Sequence, residues 1–358
     1  MCSVVNLTEA AETTMDKFFS KVEIVTLENK EDKFVSDVDC IFPSADFYVI
    51  KSRKNVISVY STDGKYVSDS KNKIGNGPNE YSIVTAMTFN KYTNNIEIVT
   101  PRHLLSYDIN FNLKEKVELP TKTASKDSKS VMFSRICDLT ENLHLLMPTS
   151  ISQDAYTCLL FDSSTSKIIK KFDFKDDIIA SVNMQEQCLF DTEDKKIAFV
   201  PPFMLNYAYS FDREDLDFSK EYHFQFGKDV LTKDDLENLG QDEMKKKVFL
   251  LNCDKEIPIS CFETSNHIVI LVKKGRKLSD MFTLVYDKTS RDVSKIKLYK
   301  DNDMLFPVIR CADAACLFGT TGEKMLPMIL ENLKKQGVRV DFKNQRKGDT
   351  YILKYYLK

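Results

Sequence analysis

The loop at residues 74–81, with the sequence IGNGPNEY, is the stretch whose residue types suggest ligand chemistry most directly. Gly75 and Gly77 flank an asparagine, and Pro78 follows them. Glycine loops that hold phosphate groups continue into a Lys-Ser or Lys-Thr pair and a helix. This loop has no such pair and leads into an apolar run at 83–89. The sequence therefore argues against a nucleotide site here.

The same loop has the composition of a tightly specified turn. Gly75 and Gly77 allow backbone angles with positive φ, whereas Pro78 fixes its own φ and pushes Gly77 away from the helical region. We expect the carboxylate of Glu80 to accept hydrogen bonds from loop amides. We expect the ring of Tyr81 to fill space between neighbouring sheets.

Acid–base and metal chemistry find little support in the spacing of the titratable residues. The chain has four histidines, no two of which lie close together in the sequence, and this argues against a zinc site. His103 could act as a general base, but no serine, cysteine or acid stands at a defensible triad position. Glu263, after Cys261-Phe262, makes neither a metal site nor a glycosidase pair by itself. The sequence predicts no catalytic residue, no metal and no cofactor.

Composition narrows the class of protein. The 358 residues include 51 basic and 53 acidic side chains with no basic stripe, so nucleic acid is not an expected partner. No apolar run has the length of about 18 residues that a membrane span needs. The nine cysteines form no C-x-x-C pair and mostly lie in apolar runs, which favours buried free thiols. Cys311 and Cys316 are the pair to test for a disulfide.

A recurring β unit positions the glycine loop and the candidate titratable residues. Two strands joined by a polar loop and followed by a third strand recur five times, with a spacing of about 50 residues. Four copies share an aromatic residue followed by aspartate: Tyr107-Asp108, Phe161-Asp162, Phe211-Asp212 and Tyr286-Asp287. This period predicts an all-β chain, a six-bladed β-propeller with four-stranded antiparallel blades. The sixth blade is expected to form from both chain ends, with 350–357 pairing beside 22–27 and closing the ring.

The domain prediction has two parts and two small helical insertions. Residues 1–14 are expected to be an N-terminal tether, and 15–358 the propeller. The insertions are predicted near 232–248, with Thr232 as a helix cap, and near 323–337, where Gly337 ends the helix. Thr320 and Glu323 are a candidate capping box for the second insertion.

With these features in place, the chain resembles the six-bladed β-propeller proteins of Bacteroides-type bacteria, relatives of the NHL-repeat propellers. The matching features are residues 16–28 (DKFFSKVEIVTLE), the closing aromatic strand and a loop of the form G-x-G-P-x-E-Y at Gly75, Gly77, Pro78, Glu80 and Tyr81. Most members are secreted lipoproteins of unknown function. No blade here carries the aspartate-rich calcium loops of enzymatic relatives.

The resemblance changes the interpretation of Cys2. Taken alone, Cys2 after Met1 fits an ordinary cytosolic start, with no leader in front of it. The family often begins with a lipidated cysteine and a polar tether, so the resemblance implies a lipid anchor on Cys2. It implies an outer-membrane lipoprotein of the cell envelope, a monomer that touches the membrane only through that anchor.

In each blade, one loop joins the second and third strands, and another loop leads into the next blade. Both kinds of loop are expected to lie on the same face of the propeller. The candidate ligand-binding residues there are Arg53, Lys54, Tyr81, Arg102, His103, Phe203 and Arg276. Arginine donors beside aromatic rings suit carboxylates, sugars or peptides. The leading hypothesis is a non-enzymatic module that binds a glycan, a peptide or an envelope protein. The alternatives are a lactonase-like hydrolase or lyase in the central channel, and a structural scaffold that uses the helix near 324–336 as its contact.

Overall fold

The structure is a computed structural model, and it describes most of the chain. The described residues are 2–29, 38–52, 55–121, 131–149, 158–174, 176–180, 186–191, 197–201, 206–240, 242–275, 280–297, 299–300, 303–304, 309–344 and 349–358. Contacts divide the chain into two compact units, one made of 1–25, 177–343 and 351–358, the other of 26–176 and 344–350.

The chain is a six-bladed β-propeller whose blades have four or five mostly antiparallel strands. Three blades lie in the unit that contains residues 26–176. Blade 1 has Val38–Pro43, Phe47–Ser52, Ile57–Ser61 and Tyr66–Asp69; blade 2 has Ala86–Asn90, Asn95–Val99, His103–Tyr107 and Leu113–Glu118; blade 3 has Phe133–Asp138, Leu143–Pro148, Cys158–Asp162 and Lys167–Phe172. The predicted fold class is confirmed.

The other unit contains blades 4 and 5 and most of blade 6. Their antiparallel strands are, for blade 4, Leu189–Asp191, Ile197–Phe199, Tyr207–Asp212 and Asp217–Gln225; for blade 5, Glu256–Glu263, His267–Lys274, Phe282–Asp287 and Val293–Lys297. Blade 6 has the order Ile309–Ala312, Cys316–Gly322, Thr350–Leu357, Phe19–Thr26 and Val340–Phe342. A short hairpin pairs Tyr299–Lys300 with Asp303–Met304.

The two chain ends pair in blade 6, as the sequence predicts. Thr350–Leu357 lies directly beside Phe19–Thr26. The amide of Leu27 donates to the carbonyl of Thr350 at 3.1 Å, and the amide of Lys358 donates to Phe18 at 2.7 Å, so the strands run in opposite directions. This pairing gives both strands hydrogen-bond partners and removes two free sheet edges.

The first residues differ from the predicted tether. Ser3–Asn6 pairs in parallel with the outer strand of blade 4, and Ala11–Glu12 pairs in parallel with the outer strand of blade 5. Val5 and Leu7 are buried in the core of the unit that contains blades 4 and 5. The outermost strand of a blade leaves backbone groups unpaired, and this segment satisfies some of them.

The core lies between neighbouring sheets. One cluster joins side chains of blades 1 and 2, such as Val59 and Leu105, and a second joins blades 2 and 3 through residues such as Val99 and Leu146. The inner strands are therefore buried on both faces and read as continuous apolar runs. The fourth strand, such as Leu113–Glu118, is mostly exposed, and Val117 is its one buried residue, because this outer strand meets solvent.

The repeated aspartates shape the turn between the third and fourth strands. The Asp108 carboxylate accepts hydrogen bonds from the amides of Asn110 and Asn112, each at 2.9 Å. Asp162, Asp212 and Asp287 accept from amides two or three residues further along in the same way. Although slight burial opposes it, bonding to Asn112 and Lys114 lowers the pKa of Asp108 to about 2. The aspartate that follows the aromatic residue is therefore a turn-forming feature of the blades.

Three α-helices lie within the described ranges: α1 (Lys233–Glu237), α2 (Glu243–Asn252) and α3 (Leu326–Lys335). Thr232 caps α1, where its side chain and that of Asp235 form a capping box. Gly337 follows α3 with a φ of 71°. The predicted capping box of Thr320 and Glu323 does not form, because Thr320 belongs to the strand Cys316–Gly322.

The apolar face of α3 is already used inside the protein. Leu326, Ile329 and Leu333 are buried in the core of their unit. This packing leaves little of that face for an external contact of the kind that the scaffold hypothesis requires. Among the described residues, no helix combines the length and apolar character needed to cross a membrane.

Candidate functional site

The structure describes three of the seven predicted ligand-binding residues. Arg53, Lys54, Phe203 and Arg276 lie outside the described residues. Tyr81 is buried, Arg102 is exposed and His103 is half-buried. The described residues of the predicted ligand-binding face therefore lie in blade 2 and in the loop that leads into it.

The glycine loop is closed by the side chain of Glu80. Its carboxylate accepts a hydrogen bond from the amide of Gly77 at 2.9 Å. A Cβ atom placed on Gly75 would lie 2.0 Å from Glu80 Oε2, so a larger residue there would have to displace this carboxylate. Neither Gly75 nor Gly77 has a φ in the left-handed region, which differs from the sequence argument. Close approach of the carboxylate, rather than backbone angle, explains the glycines.

Tyr81 packs in the core that blades 1 and 2 share. Its side chain is 2% exposed and belongs to the cluster that includes Tyr107. Its hydroxyl lies 2.6 Å from Ser70 Oγ and 3.1 Å from the carbonyl oxygen of Asn55. In this structure the ring serves packing, and its predicted role in ligand binding would require the core to open.

Arg102 and His103 lie on a rigid turn between the second and third strands of blade 2. The hydroxyl of Thr100 accepts hydrogen bonds from the amides of Arg102 and His103 at 3.4 and 2.9 Å. The Thr100 amide donates to the carbonyl of His103 at 2.8 Å, which closes the turn. Partial burial and the nearby cation of Lys116 lower the pKa of His103, so the ring is neutral near pH 7.

A buried group of titratable side chains joins blades 2 and 3. Glu97 comes from the second strand of blade 2, whereas Asp138 and His144 come from the first two strands of blade 3. His144 Nδ1 is 2.9 Å from Asp138 Oδ1 and 3.2 Å from Glu97 Oε2. The three side chains are at most 4% exposed. One candidate ligand atom from each lies within 4.8 Å of the others, which is a spacing that a metal ion can bridge.

Outer hydrogen bonds orient this group. The Asn90 amide donates to Glu97 Oε1 at 2.9 Å. His144 Nε2 lies 3.2 Å from Ser163 Oγ, and Ser163 Oγ donates to the carbonyl of Asn142 at 3.4 Å. Glu97 Oε2 and Asp138 Oδ2 are buried without a hydrogen-bond partner.

The electrostatics of the group are strongly coupled. Burial, followed by the charge of Glu97, raises the pKa of Asp138. Burial alone would lower the pKa of His144, but the hydrogen bond to Asp138 and the nearby carboxylate of Glu97 outweigh burial and raise it. The carboxylates therefore favour positive charge at the centre of the group.

Sequence reasoning missed this group because it searched for histidines near one another. A weaker signal was present: Glu97 stands between Ile96 and Ile98, and His144 between leucines, inside strands that are otherwise apolar. A charged residue within a buried strand requires a partner. The sequence does not say which strand supplies that partner.

A family profile described as "Domain of unknown function (DUF4934)" matches residues 2–346 of the chain. The chain belongs to this family. No curated protein matches it. Among solved structures, the DUF4934 chain is similar to a Bacteroides fragilis protein named "Putative exported protein". The identity is 14%, the TM-score is 0.72, and 99% of this chain and 100% of the other are covered.

A second similar structure is a member of the DUF4221 family from Bacteroides vulgatus. Its identity is 9% and its TM-score is 0.57, with 95% of this chain and 98% of the other covered. At these identities the similarities show the fold alone. Together with the family match they confirm the resemblance to Bacteroides propellers of unknown function.

Glu263 of the DUF4934 chain is part of a buried ion pair in blade 5. Lys288 Nζ lies 2.6 Å from Glu263 Oε1, and the Glu263 side chain is 2% exposed. Lys288 also donates to the carbonyl of Thr264 at 2.8 Å. These contacts bury Glu263 in an ion pair at the end of the first strand of blade 5.

The cysteines of the DUF4934 chain are free thiols. All nine, including Cys311 and Cys316, lack a disulfide bond, and seven of them are buried. Cys2 is partly exposed and directly precedes the edge strand Ser3–Asn6. Its thiol is thus held next to blade 4.

Proposed function

We propose that this chain is a non-enzymatic binding protein of the cell envelope. Its ligand is a glycan, a peptide or a protein partner, and the loops between the second and third strands of the blades make the contact. The observation that carries the proposal is the turn of blade 2, where Thr100 fixes exposed Arg102 beside His103. A guanidinium on a rigid turn can bind a carboxylate with two parallel hydrogen bonds and a small loss of conformational entropy.

The surroundings of the turn favour an anionic group on the partner. Lys116 lies close enough to His103 to lower its pKa, and its Nζ also donates to the carbonyl of Pro78 at 3.4 Å. Arg102, neutral His103 and Lys116 together offer three donors within one region of blade 2, where Glu118 on the fourth strand stands opposite His103. Carboxylate-bearing sugars and acidic peptide segments have the complementary chemistry.

Burial of the acid–base group favours binding over catalysis. Glu97, Asp138 and His144 combine the residue types of a hydrolase centre, but His144 is only 1% exposed. A glycan or a peptide cannot reach these atoms while blades 2 and 3 stay packed. Catalysis needs a reacting atom within hydrogen-bond reach of such groups.

An envelope location is supported by the name of the Bacteroides fragilis relative, which describes that protein as exported. In the proposal, an acyl chain on Cys2 holds this protein on the outer membrane. Because strand pairing begins at Ser3, a lipid on Cys2 would hold blade 4 close to the bilayer, without a flexible spacer.

Binding is tested with the full chain on a glycan array and on an array of acidic and neutral peptides. We expect the best hit to bind the Arg102→Ala variant at least about 10-fold more weakly, because exposed arginines are frequent interface hot spots. Arg339→Ala is the matched control, since the Arg339 side chain is 73% exposed just before the edge strand Val340–Phe342 of blade 6. Equal affinities of the two variants, with unchanged thermal unfolding, would contradict the assignment of the turn.

The lipid anchor is tested separately, in the bacterium that encodes the protein. Metabolic labelling with an alkyne fatty acid should label the wild-type chain, whereas the Cys2→Ser variant should remain unlabelled and leave the membrane fraction. Cys253→Ser, which changes another partly exposed cysteine, serves as the control and should keep the label. A wild-type chain that carries no label would refute the anchor.

A further inference from the structure

The buried group of Glu97, Asp138 and His144 has too few protons for its acceptors. His144 Nδ1 can carry one hydrogen, which points to Asp138 Oδ1 at 2.9 Å, whereas Glu97 Oε2 lies 3.2 Å from the same nitrogen. Glu97 Oε2 and Asp138 Oδ2 have no hydrogen-bond partner although both are buried. A buried acceptor without a partner is costly, and for a charged oxygen the cost is several kcal/mol.

The charge of the group is unbalanced as well. If His144 is protonated and both carboxylates are ionised, one net negative charge remains between blades 2 and 3. If the imidazole is neutral, two negative charges remain. Buried charge is stabilised only by an opposite charge with good geometry, so the group requires a further cation or a shared proton.

The outer contacts prepare each residue to present one atom inwards. Asn90 holds Oε1 of Glu97 and leaves Oε2 free to face the centre. Because the Ser163 hydroxyl donates to Asn142, it accepts from Nε2–H of His144. When Nδ1 gives up its hydrogen to make room for an ion, the ring keeps Nε2–H and presents the lone pair of Nδ1 to the centre of the group. Histidines that bind metals are commonly held in this way, with the second ring nitrogen donating to an outer partner.

We propose that Glu97, Asp138 and His144 Nδ1 bind a divalent transition-metal ion that links blades 2 and 3. The candidate ligand atoms lie within 4.8 Å of one another, a spread that bonds of about 2.0–2.2 Å to one ion can span. One imidazole and two carboxylates suit Zn²⁺ or Mn²⁺, whereas Ca²⁺ prefers six to eight oxygens. The ion would supply the missing positive charge and bind the two oxygens that lack partners.

The proposal is independent of the surface binding proposed above. The role is structural, since the ion joins strands of two blades and lies away from solvent. The sequence argument against zinc considered only histidines that lie near one another in the chain. The site uses one histidine, and its two carboxylates come from strands that the fold brings together.

The first test measures metal in the full chain as purified. Protein expressed in medium supplemented with ZnCl2, then dialysed against metal-free buffer, should contain one zinc per chain by elemental mass spectrometry. Zinc is used because Zn²⁺ has no redox chemistry of its own. Co²⁺ in its place should give visible d–d absorption, which reports the ligand geometry. Supplementation during expression allows the ion to enter before the blades close.

Isosteric variants separate metal binding from folding. Glu97→Gln removes one charge and keeps the shape, so the metal-free variant should unfold at the same temperature as metal-free wild type or at a higher one. Its zinc affinity should fall at least about 10-fold, and its melting temperature should no longer respond to ZnCl2. Glu331→Gln on the exposed face of α3 and His103→Asn are controls for adventitious surface binding and should retain the zinc.

The alternative occupant is a proton shared by the two carboxylates. Zinc-free wild type after supplemented expression, with a melting temperature that ZnCl2 does not change, would overturn the proposal in favour of that proton. Equal zinc content in wild type and Glu97→Gln would also overturn it, because the ion would then be bound elsewhere.

Discussion

Replacing Lys288 with methionine should destabilise the protein by about 3–5 kcal/mol, because it removes the cation from a buried carboxylate. Lys288 Nζ lies 2.6 Å from Glu263 Oε1, and the two side chains are 16% and 2% exposed. Methionine retains most of the apolar volume of lysine and loses the charge. Glu263 would then remain inside blade 5 without the positive charge of Lys288. Urea unfolding followed by circular dichroism measures the loss.

Two variants control this result. Lys335→Met removes the cation from the exposed pair with Glu331, whose side chains are 60% and 67% exposed, and should change stability by no more than about 0.5 kcal/mol. The double variant Glu263→Gln with Lys288→Met should recover a large part of the loss, since the buried charge is gone. If Lys288→Met costs no more than Lys335→Met, the buried pair contributes little.

The Gly64→Ala variant should lose about 2–4 kcal/mol of stability, from backbone strain and steric overlap together. Gly64 has a φ of 82°, a region that alanine adopts only at a cost. A Cβ there would lie 2.2 Å from the carbonyl oxygen of Thr26, which is backbone and cannot rotate away. The same oxygen accepts a hydrogen bond from Asn344 at 3.0 Å, so the displacement would extend to a second contact.

Gly227→Ala is the matched control for this prediction. Gly227 has no positive φ, and a Cβ added to it would meet no atom within 4 Å. We expect its unfolding free energy to stay within about 0.5 kcal/mol of the wild-type value. Similar losses for the two alanine variants would show that the turn of blade 1 can move away from Thr26.

The repeated strands and their turns could be predicted from the sequence because they depend on local patterns. The aspartate after each aromatic, as in Tyr107-Asp108, accepts amides a few residues away, so the turn is specified within a short segment. In blades 2 and 3 the register between the third and fourth strands also shifts at this aromatic residue, which marks a local bulge.

Other features depend on contacts that local backbone propensity does not specify. The glycine at position 75 is explained by the carboxylate of Glu80 folding back over it, not by its own φ. Residues 3–12 look polar and tether-like, yet they pair with the outer strands of blades 4 and 5. Neither outcome follows from local propensity, since each depends on what the folded chain places alongside.

The sequence by itself determined the class of fold, the number of blades and the pairing of the two chain ends, because apolar period and turn residues repeat along the chain. Only the tertiary structure decided that Glu97 meets Asp138 and His144, and that Lys288 lies against Glu263. A charged residue in an apolar strand signals that a partner is needed. Which partner it finds depends on how neighbouring strands and sheets pack, and strand periodicity carries no information about that.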